Sequence, residues 1–135
     1  MIQVVPFHSD SVLHLENCIV MRKNFDHIEF GFPYFDAQPI KLTISDCSML
    51  VLFILNCAKR IDEGEIESFC TRPVNEKVDW MIIIRKTFGD SLHIDFTFTD
   101  VAPMIIDLQE VINFGLILNK MLDIKMINSP EEVDR

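Results

Sequence analysis

The sequence predicts an α+β fold: two pseudo-repeats of strand–strand–strand–helix that share one core, with mainly antiparallel sheet and two apolar helices. Three observations predict it. The stretch RKNFDHIEF at 22–30 returns as RKTFGDSLHIDF at 85–96. Both copies alternate apolar and polar residues with a period of two, the mark of a half-buried strand. Each is followed by a long apolar run at helical spacing.

At an offset of 63, residues 15–25 lie over 78–88 with similar residues at most positions. Three inserted residues then shift the phase, and His27-Ile28-Glu29-Phe30-Gly31-Phe32 lies over His93-Ile94-Asp95-Phe96-Thr97-Phe98. Residues 36–40 face 100–104, and Ile54-Leu55-Asn56 faces Ile117-Leu118-Asn119 at the original offset. Cross-strand partners share a face. That rule predicts Ile19 opposite Phe30 and Met21 opposite Ile28, closed by a two-residue turn at Asn24-Phe25. It also predicts Ile82 opposite Phe96 and Ile84 opposite Ile94, closed by a five-residue loop from Thr87 to Ser91. Phenylalanine suits the second turn position poorly, because two-residue hairpin turns favour glycine there.

Ile40, Leu42 and Ile44 alternate with Lys41, Thr43 and Ser45, which gives a third strand in the first copy. Ser45 or Asp46 is the expected cap of a helix running through Ala58. In the second copy Pro103 makes a third strand doubtful, a short strand around 67–71 precedes the hairpin, and Asp107 with Glu110 reads as a capping box opening a helix to about Ile124. Residues 49–55 present no polar residue, so each helix is expected to be buried on two sides, against the sheet and against its counterpart or a second subunit. Neither half of about 60 residues buries much core alone. One domain over 1–124 is therefore expected, with repeats at about 4–60 and 68–124, an acidic connector between them and a frayed tail over 125–135. In element order this unit resembles the duplicated sheet-and-helix domains of the Whirly and PUR single-strand-binding families, an architecture that assigns no function by itself.

The chain has 135 residues and a formal charge of −9, from 21 Asp and Glu against 12 Lys and Arg. That balance repels phosphate backbones and favours a basic partner. Cys18, Cys47, Cys57 and Cys70 form no C-x-x-C pair, so free buried thiols in a cytoplasmic protein are expected rather than disulfides or zinc. The first ten residues lack the charged and apolar regions of a signal peptide, and the oiliest stretch, 49–58, is too short to span a membrane. Glycines at 31, 64, 89 and 115 have the wrong spacing for a phosphate cradle or a dinucleotide turn, and no G-x-S-x-G elbow occurs.

Four groups of polar residues remain as candidates. Arg22, His27 and Glu29, with Arg85, His93 and Asp95, form a duplicated set on the outward hairpin faces; acid–base work there would require a cleft, so a solvated face is the preferred reading. His8 and His14 carry no ligand spacing, and neither a metal nor a cofactor is expected. The tips, Arg22-Lys23-Asn24-Phe25 and Arg85-Lys86-Thr87-Phe88, set two cations beside a ring, the chemistry of single-strand binding. Acidic residues Asp62, Glu63, Glu65 and Glu67 of the connector, Glu29 and Asp95 on the sheet, and Asp26 and Asp90 near the tips suit steered capture of a basic protein. The resulting expectation is a non-catalytic binding protein, monomer or homodimer: a small acidic inhibitor such as an immunity protein neutralising a basic toxin, for example a nuclease. The alternatives are nucleic-acid binding through Arg22, Lys23, Phe25, Arg85, Lys86 and Phe88, or an acidic secretion chaperone.

Overall fold

The computed structural model describes residues 2–9, 12–32, 38–62, 64–77, 79–87, 91–96 and 104–123. Strands β1 (Ile2–Ser9), β2 (Val12–Lys23), β3 (His27–Gly31) and β4 (Ile40–Thr43) form an antiparallel sheet in chain order, and helix α1 (Ile44–Arg60) follows. Strands β5 (Ile66–Thr71), β6 (Trp80–Lys86), β7 (Ser91–Phe96) and β8 (Met104–Asp107) form a second antiparallel sheet in the same order, followed by α2 (Leu108–Asp123). The α+β class is thus observed, as two sheets of four strands rather than one sheet built from three-strand units. Strand β1 was missed, because its pairing partner is set by tertiary contact and not by local pattern. The Pro103 signal did not stop β8, which begins at the next residue.

Period-two alternation places Met21, Ile28, Phe30, Ile40 and Leu42 on the buried face of the first sheet, and Ile82, Ile84, Leu92 and Ile94 on that of the second. All belong to one apolar cluster with the inner faces of both helices. The second hairpin has the expected register, Ile82 opposite Phe96 and Ile84 opposite Ile94. The first does not: Met21 faces Phe30 and Lys23 faces Ile28, a slide of two residues from the expected pairing. A slide of two keeps every side chain on its own face, so hydrophobic pattern alone is blind to it. The turn becomes Phe25-Asp26, closed by the Asn24 amide donating to the His27 carbonyl at 2.9 Å. The two hairpins therefore differ in length by one residue: four residues lie between the paired Lys23 and Ile28, and five between the paired Lys86 and Leu92.

Thr43, not Ser45 or Asp46, caps α1: its hydroxyl accepts from the Asp46 amide at 3.1 Å, and the helix runs two residues past Ala58. The capping box of α2 is present, with the Glu110 amide donating to Asp107 Oδ1 at 2.8 Å and the Asp107 amide to Glu110 Oε1 at 3.4 Å. The helices pack against each other at Gly115, where an added Cβ would lie 2.9 Å from Leu55 Cδ2 and 3.1 Å from Ile54 Cγ2. Helix α1 also bridges the sheets, touching β3, β4 and β5, with Phe53 on Phe69 and the Thr71 hydroxyl donating to Asp46 Oδ2 at 2.8 Å.

Each helix packs on its counterpart and on the sheets, α1 on β3, β4 and β5 and α2 on β1 and β8, yet neither is buried all round. Each buries a single stripe, Cys47, Leu50, Val51, Ile54 and Cys57 on α1 and Val111, Phe114, Gly115, Leu118 and Met121 on α2. Met49, Leu52 and Leu116 are exposed on outer faces shared with Ser45, Asn56, Lys59, Asn113 and Lys120. The polar residues flanking 49–55 at helical spacing supply the outer face that the run itself lacks. No helix among the described residues is long and apolar enough to cross a membrane.

Candidate interaction surfaces

The tight first turn projects Phe25 into solvent, 68 % exposed, with Asp26 beside it. Asp26 Oδ1 lies 2.7 Å from His27 Nδ1, and Asn24 Nδ2 lies 3.0 Å from His27 Nε2. A neutral ring carrying its proton on Nδ1 satisfies both contacts: it donates to the carboxylate and accepts from the amide. The bond from His27 holds the Asp26 carboxyl below its ordinary range. With both ring nitrogens occupied, this trio fixes the turn and offers no open base.

Arg22 is exposed and sits opposite Glu29, not His27, while His27 faces Thr43. Arg85 is exposed and faces His93, as expected, and Asp95 faces Ile83. The side chains of His8 and His14 lie outside the described residues. So do Glu63, Phe88 and Asp90 in full.

Lys23 and Lys86 are not tip residues. They are 8 % and 9 % exposed. Lys23 Nζ donates to the Leu122 carbonyl at 3.3 Å, at the C-terminal end of α2, where unpaired carbonyls carry partial negative charge. Lys86 is tied by its backbone to the segment that leaves α1: its amide donates to the Glu65 carbonyl at 3.0 Å and its carbonyl accepts from the Gly64 amide at 3.1 Å. The strand pattern explains this placement, since Lys23 and Lys86 fall on the parity of Met21 and Ile84, the buried face. The paired-cation signal therefore splits, leaving Arg22 and Arg85 outside and both lysines in the structure.

The connector is engaged in its own turn. Glu65 Oε1 accepts from the Asp62 amide at 2.7 Å, the Glu65 amide donates to the Asp62 carbonyl, and Gly64 takes a left-handed φ of 81°. Glu67 accepts from Arg60 at 2.8 Å. Burial raises the thiol pKa of Cys47 to about 12 and of Cys57 to about 11, whereas Cys70 is exposed.

A wide concavity lies where β4 meets the loop that follows β5. The Val74 amide donates to the Lys41 carbonyl at 2.8 Å, and the Glu76 amide donates to the Pro73 carbonyl at 3.1 Å. Asn75 turns the loop at φ 68°, a conformation that asparagine adopts more readily than other non-glycine residues. An ion pair of 3.0 Å between Arg72 and Asp79 closes its base. The result is an open polar groove of about 380 Å3, lined by Glu29, Gln38, Lys41, Asn75, Glu76 and Trp80 among others. Neither Glu29 nor Glu76 forms an ion pair with any described residue. The adjoining apolar crevice, between Phe30, Leu50, Trp80 and Ile82, has about 10 Å3 of free space, scarcely one water, and is a packing seam. Sequence reasoning included Glu29 but missed Trp80 and Glu76, which carry no motif and reach the groove only because a loop folds over the edge of β4, about thirty residues away in the other sheet, where Val74 bonds Lys41.

No protein-family model matches the chain, and no curated protein or solved structure matches it.

Proposed function

We propose that this is a non-catalytic binding protein, an acidic inhibitor of the immunity-protein kind that captures a basic toxin such as a nuclease. One observation carries the reading. In a chain of charge −9, Asp26, Glu29, Asp62 and Glu76 stand without a lysine or arginine partner among the described residues. Carboxylates without a lysine or arginine partner, on elements fixed to one apolar core, give a field that steers a cationic partner and need little reordering on binding.

The same reading takes the chain as an internal duplication. Cys47, Leu50, Val51, Ile54 and Cys57 correspond, at a spacing of sixty-four, to Val111, Phe114, Gly115, Leu118 and Met121, and the caps Thr43 and Asp107 share that spacing. Duplication of a unit too small to stand alone supports one rigid domain, with charge left for its surface. The nucleic-acid reading loses Lys23 and Lys86 to the core and keeps Arg22, Phe25 and Arg85 at the surface. Exposed Met49, Leu52 and Leu116 favour the secretion chaperone as the second reading.

The test is retention of partners by the tagged protein in native cells at low and high salt. One stoichiometric basic protein, weakened by salt, is the expected result. Recovery of nucleic acid, or of an apolar secreted substrate insensitive to salt, overturns the inhibitor reading.

A further inference from the structure

We infer that the groove between β4 and the 72–79 loop receives a single arginine side chain of the basic partner, an inference that rests on the reading above and assigns it a contact. The groove is lined by Trp80, Glu29 and Glu76. A guanidinium suits that set for three reasons: it is planar and stacks on indole, it forks to carboxylate oxygens, and it is more weakly hydrated than an ammonium. Lys41 lines the same groove, so the local formal charge from Glu29, Glu76 and Lys41 is −1, which one guanidinium balances and a run of cations overshoots. The volume, about 380 Å3, lies within the range of small-ligand sites and leaves room for the side chain with bridging water. The Val74-to-Lys41 hydrogen bond holds the loop on β4, so the groove is formed before its occupant arrives.

Trp80 is the single tryptophan of the chain, so tryptophan emission reports this groove and the apolar seam that Trp80 also lines. Acetylated, amidated Gly-Gly-Arg-Gly-Gly is titrated at low salt, beside its citrulline and lysine counterparts. The expected result is a saturable emission change with the arginine peptide and binding about tenfold weaker with citrulline, which removes the charge-assisted hydrogen bonds. Glu76→Gln weakens the arginine peptide roughly threefold to tenfold, with unchanged circular dichroism. Glu67→Gln, remote from the groove and paired with Arg60, leaves it unaltered. Equal binding of arginine and citrulline, equal binding of arginine and lysine, or indifference to Glu76→Gln overturns the assignment. Calorimetry with octa-arginine separates the two levels. Salt-sensitive heat with silent Trp80 emission removes the groove and keeps acidic capture, whereas no binding at low salt removes both.

Discussion

Lys23 provides a direct test of how the two halves hold each other. Its side chain crosses from the first hairpin to the last turn of α2, 8 % exposed, with Nζ 3.3 Å from the Leu122 carbonyl. A charged donor on a carbonyl contributes about 1.5–3 kcal/mol. A length at the far end of the usual range argues for the lower part of that span. Lys23→Met keeps the buried stem and loses the head, at a cost of about 1–2 kcal/mol. Lys23→Glu does more, because it sets a carboxylate against carbonyls of the same sign in a buried position; about 3 kcal/mol or more is expected. For a chain of this size that is a fall in Tm of roughly 10 °C. Arg22→Gln, the exposed neighbour on the other face, changes stability by no more than about 0.5 kcal/mol. Urea unfolding followed by circular dichroism measures all three. A Lys23→Glu protein as stable as Arg22→Gln would refute the structural role and return Lys23 to the tip.

Three further outcomes follow from the packing. Gly115→Ala gains about 1 kcal/mol of helix propensity but forces a Cβ onto fully buried Ile54 and onto Leu55, so a net loss of about 1 kcal/mol in urea unfolding is expected, and net stabilisation would contradict the close approach. Thr43→Ala and Asp107→Ala each remove a helix cap, for about 1 kcal/mol apiece by thermal unfolding, with similar costs because the two caps do the same work. In a Cys18→Ser background, native protein at pH 8 exposes one rapidly reacting thiol, lost in Cys70→Ser, while Cys47 and Cys57 react only on unfolding. Because their folded values lie above the unfolded value near 9, both buried thiols contribute fully below pH 9. That contribution then declines as pH rises towards about 11 for Cys57 and about 12 for Cys47, so an alkaline melting series should fall across that window.

Local chemistry was legible at some places where the answer lay within a few residues of the signal, though not at the α1 cap, where Thr43 and not Ser45 or Asp46 accepts the amide. The Asp107–Glu110 box could be read directly, since a capping box is closed by residues three apart. The second hairpin's register could also be read, because the apolar residues on its two strands align in phase around a fixed loop. The first hairpin escaped by two residues: the slide preserves both faces, and the Asn24, Asp26 and His27 bonds that select it depend on turn geometry. At the surface, acidic residues were recognised from composition, yet Glu65 and Glu67 turned out to be engaged by their own neighbours, and the groove residues Trp80 and Glu76 carried no local mark.

By itself, the sequence determined the α+β class, the inward-facing apolar residues of β3, β4, β6 and β7, the second helix's start and the negative field. Each of these depends on side-chain type and on a period of two or of 3.6, quantities fixed by local backbone geometry. Only the tertiary structure decided the rest. Four strands entered each sheet, two lysines became buried struts, and a loop from the second sheet closed a groove on the edge of the first. These outcomes depend on which distant surfaces meet, and a contact between residues far apart in the chain leaves no periodic trace in either segment.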